Sequence, residues 1–520
     1  MANGAGALST ATSSRSPELI KGLGLFDSTM LVAGSMIGSG IFIVSADIAR
    51  QVQSPGLLLV VWVATGVMTM IGALSYGELA AAMPKAGGQY VYLRESLGPL
   101  WGFLYGWTML LVIQTATISA VAIAFSKFTG VMFPFFSAQG WIWKFGTFGP
   151  WTFWFGALGP YNVGLNTQNL LAIASIVLLT WLNTRGLRVG SIVQNIFTVA
   201  KTGTLAALAA LGVFFATDAA RSGNFSGFWR NAGLHTMHAY PPVQSTWMIG
   251  TVSLVAVAMV GSLFSSDAWN NITFTAAEVK NPSRNLPLSL VLGSGLVTGL
   301  YLLVNFTYLR VLPLMGDPAG LTPIARGIQY AAQDRVATAV AEVVFGPAGA
   351  VVMAVAILIS GFGCNNGLIL SGARIYYAMA KDGLFFEPVA KVNKHHAPAA
   401  ALVIQGIWCS VLCLSGTYGQ LLDFLIFAVL IFYILTLGGL FVLRVKRPEM
   451  PRPYRAFGYP VLPLIYIAMA IFIEVQLLRY KPQYTWPGLI IVILGVPVYW
   501  IWKWRAEAGS GDGEGRETVA

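Results

Sequence analysis

The sequence predicts an all-α membrane protein with about 12 transmembrane helices, of which the first and the sixth are broken. Three observations predict this fold class. The 520 residues are 56% hydrophobic and only 10% charged, and the mean hydropathy of +0.69 indicates more apolar mass than a soluble core can bury. Apolar runs of about 20 residues, enough to cross about 30 Å of hydrocarbon, recur along the chain. Two of these runs contain short stretches of glycine or polar residues, which have low helix propensity.

The apolar runs are continuous rather than alternating, so we expect helices and not barrel strands. The expected spans are approximately 26 to 52, 56 to 83, 97 to 131, 168 to 185, 190 to 215, 247 to 277, 287 to 314, 345 to 380, 399 to 416, 420 to 445, 460 to 480 and 485 to 505. Residues 1 to 20 lack the pattern of a signal peptide, and we expect them and residues 506 to 520 to be disordered cytoplasmic tails.

Positive charges concentrate in alternate connections, which predicts the orientation of the chain. With the N-terminus inside, the cytoplasmic connections hold these basic residues: Lys85, Arg94, Arg185, Arg188, Lys280, Arg284, Lys381, Lys391, Lys394, Arg444, Lys446, Arg447, Arg452 and Arg455. Both tails are therefore expected to be cytoplasmic, in a multi-pass protein of the plasma membrane. The net charge of +11 is explained by this topology and by inner-leaflet lipid, so it does not indicate nucleic-acid binding.

The first predicted break is GSMIGSGIF, residues 34 to 42, which lies inside the first apolar run. Gly34, Gly38 and Gly40 each lower helix propensity by up to about 1 kcal/mol, so the helix can break near mid-membrane. Gly34 and Gly38 also form a GxxxG pair, which taken alone indicates close helix packing more often than a ligand site.

The second predicted break is GSLFSSDAWNN, residues 261 to 271, inside the sixth run. Ser265 and Ser266 could bond back to their own helix. Asp267 favours a functional site, because a carboxylate at mid-membrane costs about 2.5 to 3.5 kcal/mol on insertion scales. Weak stretches in the first and sixth runs predict a repeat of five helices.

A broken membrane helix exposes N–H groups on one half and C=O groups on the other, and the bilayer offers them no partners. The N-terminal end of a half helix favours a carboxylate, and the carbonyls at the other end favour an ammonium. A zwitterion supplies both groups. Corresponding breaks in two repeats therefore indicate the substrate site of a secondary transporter.

Four motifs follow one another along the chain: GSMIGSGIF, SYGELAAAMPKAGGQYVYL (75 to 93), FSSDAWNNITFTAAEVKNPSRNLP (264 to 287) and GFGCNNGLILSGARIYYAMAKDGLFFEP (361 to 388). Together they resemble the amino acid, polyamine and organocation superfamily, and within it the L-type amino acid transporters and their bacterial relatives. The resemblance covers about residues 20 to 450. It implies a LeuT-type fold with inverted repeats at 21 to 216 and 217 to 445, followed by two further helices at 446 to 505.

The resemblance also implies where an amino acid binds. The backbone N–H groups that match carboxylate donors belong to Gly38, Ser39 and Gly40. The carbonyls that match amine acceptors belong to Met36, Phe264, Ser265 and Asp267. Phe264 matches an aromatic that gates the outer side of the pocket. The positions that match the lining of the side-chain end are Asn270, Phe362 and Asn366. Trp269 and Asn271 are equally well explained by packing.

Lys201 lies about ten residues into the fifth run, roughly 15 Å from its start, too deep to snorkel easily. The resemblance implies that its ammonium takes the place of the ion of sodium-coupled relatives. A lysine that ties helix five to the carbonyls of the first break is the alternative, and it would make nearly the same contact. Both interpretations predict transport without sodium.

The predicted function is sodium-independent exchange of neutral L-amino acids by alternating access. The substrate class and the coupling stay open because of Asp267. Its carboxylate could pair with a cationic side chain of the substrate, orient the α-ammonium or titrate in proton coupling. The alternatives are therefore a cationic or broad-range transporter or a proton symporter. A membrane channel or an amino acid receptor is the alternative from another class.

Enzyme activity finds little support, because no nucleophile elbow, zinc signature or phosphate-binding loop occurs. No cofactor is expected, and His395 and His396 are interpreted as loop residues rather than metal ligands. Glu278 and Arg374 are expected to be structural or gating ion-pair groups rather than substrate ligands, and Tyr76 and Glu78 are placed in the same class. The resemblance implies that animal light subunits bond a heavy chain through a Cys between helices three and four. Residues 132 to 167 contain no Cys, so no disulfide-linked heavy chain is expected. The aromatic residues of this connection predict an interfacial belt or a lid.

Overall fold

The computed structural model describes residues 19–154, 156–158, 160–230, 235–237, 243–245, 248–415 and 425–514. The tail predicted over residues 1 to 20 therefore lies almost wholly outside the described residues, as do residues 420 to 424 of the predicted tenth span. The side chains of residues 505 to 514 are likewise outside the description.

The first half of the chain is mainly helical. Its helices are α1 (Leu25–Met36), α2 (Gly40–Val52), α3 (Pro55–Ala82), α4 (Gln89–Leu97), α5 (Pro99–Thr108), α6 (Gln114–Met132), α7 (Thr167–Thr184), α8 (Leu187–Phe214) and the short α9 (Asp218–Ala220). Single π-helical turns connect α5 to α6 and follow α9, at Met109–Ile113 and Arg221–Phe225. The strands are β1 (Trp141–Phe148), β2 (Trp151–Phe153), β3 (Gly156–Leu158) and β4 (Tyr161–Asn166).

The second half begins with a two-stranded pair and continues as helices. The strands are β5 (His235–Met237) and β6 (Val243–Ser245). The helices are α10 (Met248–Ser265), α11 (Asn271–Phe274), α12 (Pro282–Val311), α13 (Pro323–Arg326), α14 (Val336–Phe345), α15 (Pro347–Lys381), α16 (Ala399–Ser415), α17 (Leu425–Lys446), α18 (Val461–Tyr480) and α19 (Pro482–Glu514). Short 3-10 turns lie at Ala276–Glu278, Ala332–Asp334 and Glu387–Ala390.

The predicted membrane helices are confirmed. Nine helices or joined helices of the described residues are long and apolar enough to cross a membrane, and shorter apolar helices include Gly250–Ser265 and Ala399–Leu414. The first predicted span is divided into α1 and α2, and the sixth into α10 and α11, as the glycine and polar stretches predict. The protein is therefore a multi-pass membrane protein with two interrupted helices.

The helix packing is consistent with the five-plus-five arrangement. The second predicted span, α3, packs along the seventh, α12. The first span packs on α12 through α1, and the sixth span packs on α3 through α10. Each interrupted helix therefore packs on the second helix of the other predicted repeat. The third and eighth spans also pack together, through α6 and α15. The two interrupted helices thus both pack on the α3–α12 pair, and they also pack on each other through α2 and α10.

The connection between α6 and α7 contains strands, which the sequence analysis did not predict. β1 pairs with β4 and β2 with β3, both antiparallel. Trp, Phe and Thr favour extended backbone, and the Gly-Pro pair at 149 and 150 separates β1 from β2. Trp143, Phe145 and Trp154 are exposed, and the ring of Trp154 lies 4.3 Å from that of Trp486 at the start of α19. The function of this aromatic connection stays a prediction.

The end of the last helix also differs from expectation. α19 continues to Glu514, so residues 506 to 514 are helical where a disordered tail is predicted. Arg505 to Ala508 include good helix formers, which carry the helix past the end of the apolar run.

Buried ion pairs hold together the side that carries the basic connections. Glu278 accepts hydrogen bonds from Arg374 at 2.7 Å and 3.0 Å, and both side chains are buried. Glu78 accepts from Arg444 at 2.9 Å and 2.5 Å and lies 3.3 Å from Arg452. The expectation that Glu278, Arg374 and Glu78 form ion pairs is therefore confirmed.

A further charged cluster lies at α4 on the same side. Glu95 accepts hydrogen bonds from Arg94 at 2.9 Å and from Arg447 at 3.1 Å. Burial by itself raises the pKa of Glu95, but these hydrogen bonds outweigh it and lower the pKa below its ordinary value. Glu95 is thus charged at neutral pH and links α4 to the end of α17.

Candidate functional site

The first break separates α1 from α2 at residues 37 to 39. Ile37 leaves helical geometry with φ −75° and ψ 88°, and the Gly38 N–H bonds to the carbonyl of Met36 at 2.9 Å instead of four residues back. α2 then begins at Gly40, so its first N–H groups have no partner within the helix. The whole segment from Gly34 to Gly40 is buried. The break therefore lies inside the protein, where a ligand can use it.

The second break separates α10 from α11 at residues 266 to 270. The N–H of Asp267 bonds to the carbonyl of Phe264 at 3.2 Å, which tightens the last turn of α10. Ala268 has φ 64°, a left-handed conformation that costs a non-glycine residue of order 1 to 3 kcal/mol. Strain of this kind persists where the surrounding structure imposes it, which is typical of ligand sites.

The two breaks contact each other directly. A Cβ atom added to Gly40 would lie 2.2 Å from Ser265 Oγ and 3.1 Å from Ser265 Cα. The backbone at the start of α2 therefore touches the backbone at the end of α10, and only glycine allows this approach. The N-terminal end of one half helix and the carbonyl end of another are consequently brought together.

Replacing Gly40 by Ala is expected to lower the maximal transport rate about tenfold, because the new methyl group separates the two breaks. Adding Ser265→Gly removes the Ser265 side chain from this contact and should partly restore the rate. Gly203→Ala is the matched control, since a Cβ there meets nothing within 4 Å. Uptake into proteoliposomes measures all three variants. A double variant no better than Gly40→Ala would contradict direct contact of the breaks.

Lys201 of α8 binds the first break. Its ammonium is fully buried and donates to the carbonyl of Gly34 and, at 2.8 Å, to that of Ile37. These are among the last carbonyls of α1, which lose their partners where the helix stops. The structure therefore brings the predicted lysine to the predicted break, and the ammonium supplies the donor that the carbonyls need.

Helix α15 contacts the same break from another side. Ser360 Oγ lies 3.3 Å from the carbonyl oxygens of both Ile37 and Gly38, and Cys364 Sγ donates to the carbonyl of Ser35 at 3.1 Å. The sequence analysis did not name Ser360 or Cys364 as site residues. Both are small polar residues in an apolar helix, a signal too common to single them out.

A small cavity adjoins the second break and contains Asp267. Asp267 Oδ1 accepts a hydrogen bond of 2.5 Å from the Tyr433 hydroxyl, and Asn270 donates to Gln89 at 2.8 Å. The cavity is lined by Gln89, Tyr105, Met109, Ile113, Gln114, Thr117, Asp267, Ala268, Asn270, Asn271, Leu368, Val429 and Tyr433. Of these, Gln89, Gln114 and Tyr433 were missed by sequence reasoning. Polar residues from α4, α6 and α17 thus line the cavity that contains Asp267.

Phe362 and Asn366 lie outside the cavity at Asp267, and their assignment to the side-chain end of the substrate pocket stays a prediction. The Phe362 ring packs between Phe125 and Phe197, with centroid distances of 6.0 Å and 5.3 Å. Asn366 is fully buried, donates to the carbonyl of Gly190 at 3.0 Å and accepts from Asn183 at 3.0 Å. Both residues of α15 therefore face the α6–α8 side and do not line the cavity at Asp267.

One tyrosine that sequence reasoning did not name connects the two breaks. The Tyr301 hydroxyl of α12 lies 3.1 Å from the carbonyl oxygen of Met36 and 3.1 Å from that of Ser265. These two carbonyls are among the four predicted to accept a substrate amine. Phe264, the predicted gate, is buried beside them in the last turn of α10.

Among the described residues, no group of three or more His, Cys, Asp or Glu could hold a metal ion. His395 and His396 lie in the loop before α16, as predicted.

Comparison with known proteins gives a family match over nearly the whole chain. A family model described as amino acid permease matches residues 23–499. The mouse b(0,+)-type amino acid transporter 1 is 28% identical over 491 residues, which cover 94% of this chain and 89% of that protein. The rat large neutral amino acids transporter small subunit 2 is 31% identical over 484 residues, covering 93% of this chain and 81% of that protein, and its human counterpart is 30% identical.

Proposed function

The chain belongs to the amino acid permease family, within which it groups with the L-type amino acid transporters, and we propose that it is a sodium-independent exchanger of L-amino acids. The observation that carries this proposal is the direct contact of two interrupted helices inside the membrane-spanning part of the protein. A zwitterion supplies a partner for both helix ends at this contact, because its carboxylate accepts from free N–H groups and its ammonium donates to free carbonyls. The N–H groups of residues 38 to 40 would bind the carboxylate, for which the Gly38 N–H would exchange its bond to the Met36 carbonyl for one to the substrate. The carbonyls of Met36 and Ser265 would bind the ammonium.

Transport would proceed by alternating access. An amino acid that bridges the breaks lowers the free energy of the state in which α1–α2 and α10–α11 are held together. Closure at Phe264 and rocking of these helices with α3 and α12 would follow. The contacts of α1 and α10 with the α3–α12 pair support movement of these helices as one body.

Lys201 supports independence from sodium. Its ammonium already occupies the carbonyls of Gly34 and Ile37, so a cation bound there would meet a fixed positive charge. A second cation within a few ångströms is strongly disfavoured in a buried site.

Neutral amino acids are the preferred substrates in this proposal, and the surroundings of Asp267 favour a second candidate. Its side chain accepts a hydrogen bond from the neutral Tyr433 hydroxyl, and among the described residues no Lys or Arg lines the cavity at Asp267. A half-buried carboxylate within the membrane-spanning part is costly without a cation, so either a proton or a cationic substrate would compensate it. Transport of cationic amino acids, or proton coupling, is therefore the second candidate.

Asp267→Asn is expected to change substrate preference or pH dependence more than folding, because Asn keeps the size and one acceptor for Tyr433. Competition by Ala, Leu, Lys and Arg should be compared in both proteins from about pH 5 to about pH 8. If Asp267 binds cationic side chains, Asn should weaken competition by Lys and Arg about tenfold while sparing Leu. Identical profiles in the two proteins would remove Asp267 from the substrate site.

The proposed function is tested by uptake into proteoliposomes with a panel of unlabelled amino acids as competitors. An exchanger loaded with unlabelled amino acid accumulates labelled amino acid, with or without sodium. A channel dissipates the gradient, and a receptor moves nothing. A pH gradient applied in the same vesicles separates exchange from proton symport, because only a symporter accumulates substrate in response to it.

We also propose a plasma-membrane location with both termini cytoplasmic, as the alternating basic connections support. One group of relatives bears the name small subunit, which raises the question of a partner. The three cysteines of this chain, Cys364, Cys409 and Cys413, are buried, and residues 132 to 167 contain none. This supports the absence of a disulfide-linked heavy chain.

A further inference from the structure

Helix α18 carries a carboxyl group inside the membrane-spanning part of the protein. Glu474 lies six residues before the C-terminal end of this helix at Tyr480, about 9 Å along its axis. Only 7% of Glu474 is exposed, and among the described residues neither of its carboxyl oxygens has a hydrogen-bond partner. An ionised carboxylate in such a place is costly, and a protonated carboxyl avoids most of that cost. We therefore expect Glu474 to hold a proton in this arrangement.

Glu474 belongs to the buried face of α18, which packs on α3, α10 and α17. About two turns before Glu474, Tyr466 lines a small cavity together with residues of α3, α10 and α17. Beyond Glu474, Tyr480 forms an apolar cluster with Leu254 and Val257 of α10. Glu474 thus lies between two contacts of α18 with α10, so movement of α10 changes the surroundings of this buried face.

The titratable groups around Glu474 do not compensate its charge. The helices packed on α18 carry these titratable residues, with none on α10: Tyr76 and Glu78 on α3, Tyr433, Arg444 and Lys446 on α17, and Tyr484, Tyr499, Lys503, Arg505, Glu507, Asp512 and Glu514 on α19. The side chains of residue 484 and of residues 505 to 514 are outside the description. Glu78 and Arg444 pair with each other, and Tyr433 donates to Asp267. On α18 itself, the Arg479 guanidinium lies over the ring of Tyr480 at 5.3 Å.

We infer that Glu474 is a proton-binding site outside the substrate site, and that its proton favours the arrangement in which α3 and α10 pack on α18. This inference rests on the proposed function, in which α3 and α10 belong to the rocking body and α18 does not. When that body moves, the buried face of α18 loses part of its cover, and ionisation of Glu474 becomes less costly. Loss of the proton therefore favours the moved arrangement, and pH shifts the balance between the two.

Glu474→Gln tests the site, because the amide keeps the size and the neutrality of a protonated carboxyl. A glutamate in the unfolded chain is ionised above about pH 5. The folded parent then binds one proton more than the unfolded chain, so its stability falls as pH rises. The melting temperature of the purified parent, relative to that of Glu474→Gln, is expected to fall by about 2 to 4 °C between about pH 5 and about pH 8.

Glu342→Gln is the matched control. Glu342 of α14 is a half-buried glutamate that lies close enough to Arg335 to interact with its charge. The melting temperature of the parent relative to Glu342→Gln should stay constant within about 1 °C over the same pH range. Glu474→Met, which is neutral and of similar length, replaces Glu474→Gln in the comparison should the latter fold poorly.

Exchange of L-leucine in proteoliposomes with equal pH on both sides tests the effect on transport. The maximal rates of the parent and of Glu474→Gln are expected to be equal at about pH 5 and to differ at least about threefold at about pH 8. The relative potency of competing amino acids should agree within about twofold in the two proteins, because Glu474 lies about two turns from the part of α18 near Asp267.

The two measurements together decide the inference. A relative melting temperature that falls with pH, together with a ratio of rates that changes with pH, supports it. A relative melting temperature that is independent of pH overturns it, because Glu474 then binds no extra proton in the folded protein. A constant ratio of rates overturns the link to movement of α10. If the parent transports no amino acid, the proposed function itself fails, and the melting temperatures still decide whether Glu474 binds a proton.

Discussion

Lys201→Ala is expected to reduce amino acid exchange at least tenfold. The substitution leaves the carbonyls of Gly34 and Ile37 buried without their ammonium donor, and each unsatisfied group costs about 1 to 3 kcal/mol. Since about 1.4 kcal/mol corresponds to a factor of ten, losing both contacts, at about 2 to 6 kcal/mol together, is enough to reach this effect. Initial rates of exchange in proteoliposomes, corrected for the amount of inserted protein, measure the loss.

Lys127→Ala is the control for this prediction. Lys127 also lies on a membrane helix, but its ammonium makes an exposed hydrogen bond of 3.3 Å to the carbonyl of Gln333. Its removal should change the rate less than about twofold. Uptake by the parent should be the same in sodium and in potassium buffer. A steep dependence on sodium in the parent would contradict the role given to Lys201.

Arg374→Leu is expected to destabilise the protein by about 3 to 5 kcal/mol. Arg374 is fully buried and holds both carboxyl oxygens of Glu278, so its loss leaves a buried charge without a partner. The double variant Arg374→Leu with Glu278→Leu removes both charges and should recover most of the stability. Thermal unfolding of the purified parent, single variant and double variant measures these differences in stability.

Glu387→Ala provides the comparison for this ion pair. Glu387 and Lys391 form an exposed pair at 3.9 Å, which is expected to contribute about 0 to 1 kcal/mol. If Arg374→Leu and Glu387→Ala had equally small effects, the buried pair would not be holding α15 to the segment after α11.

The breaks could be predicted from the sequence because they depend on local composition. Three glycines within seven residues, and Ser265 to Asp267 inside an apolar run, weaken a helix whatever surrounds it. Lys201 likewise lies so far inside its apolar run that its ammonium cannot easily reach the membrane surface, which predicts a partner inside the protein. These signals lie within one segment, so no tertiary information is needed to recognise them.

The remaining contacts depend on how distant helices meet. Tyr301 is one of many aromatic residues in apolar helices, and nothing beside it in the sequence indicates contact with Met36 and Ser265. Gln89 and Tyr433 reach the cavity at Asp267 only because α4 and α17 pack beside the second break. Phe362 and Asn366 were assigned to the pocket by resemblance, which stays a prediction, and their contacts with Phe197 and Gln194 could not be read from the sequence.

The central claim is that the two interrupted helices together bind the charged ends of one amino acid. A structure of the protein determined in lipid with a saturating amino acid tests this most directly. We expect density for the substrate between α2 and α10, with its carboxylate at the N–H groups of residues 38 to 40 and its ammonium at the carbonyls of Met36 and Ser265. A substrate bound elsewhere, with Tyr301 still joining those carbonyls, would contradict the claim.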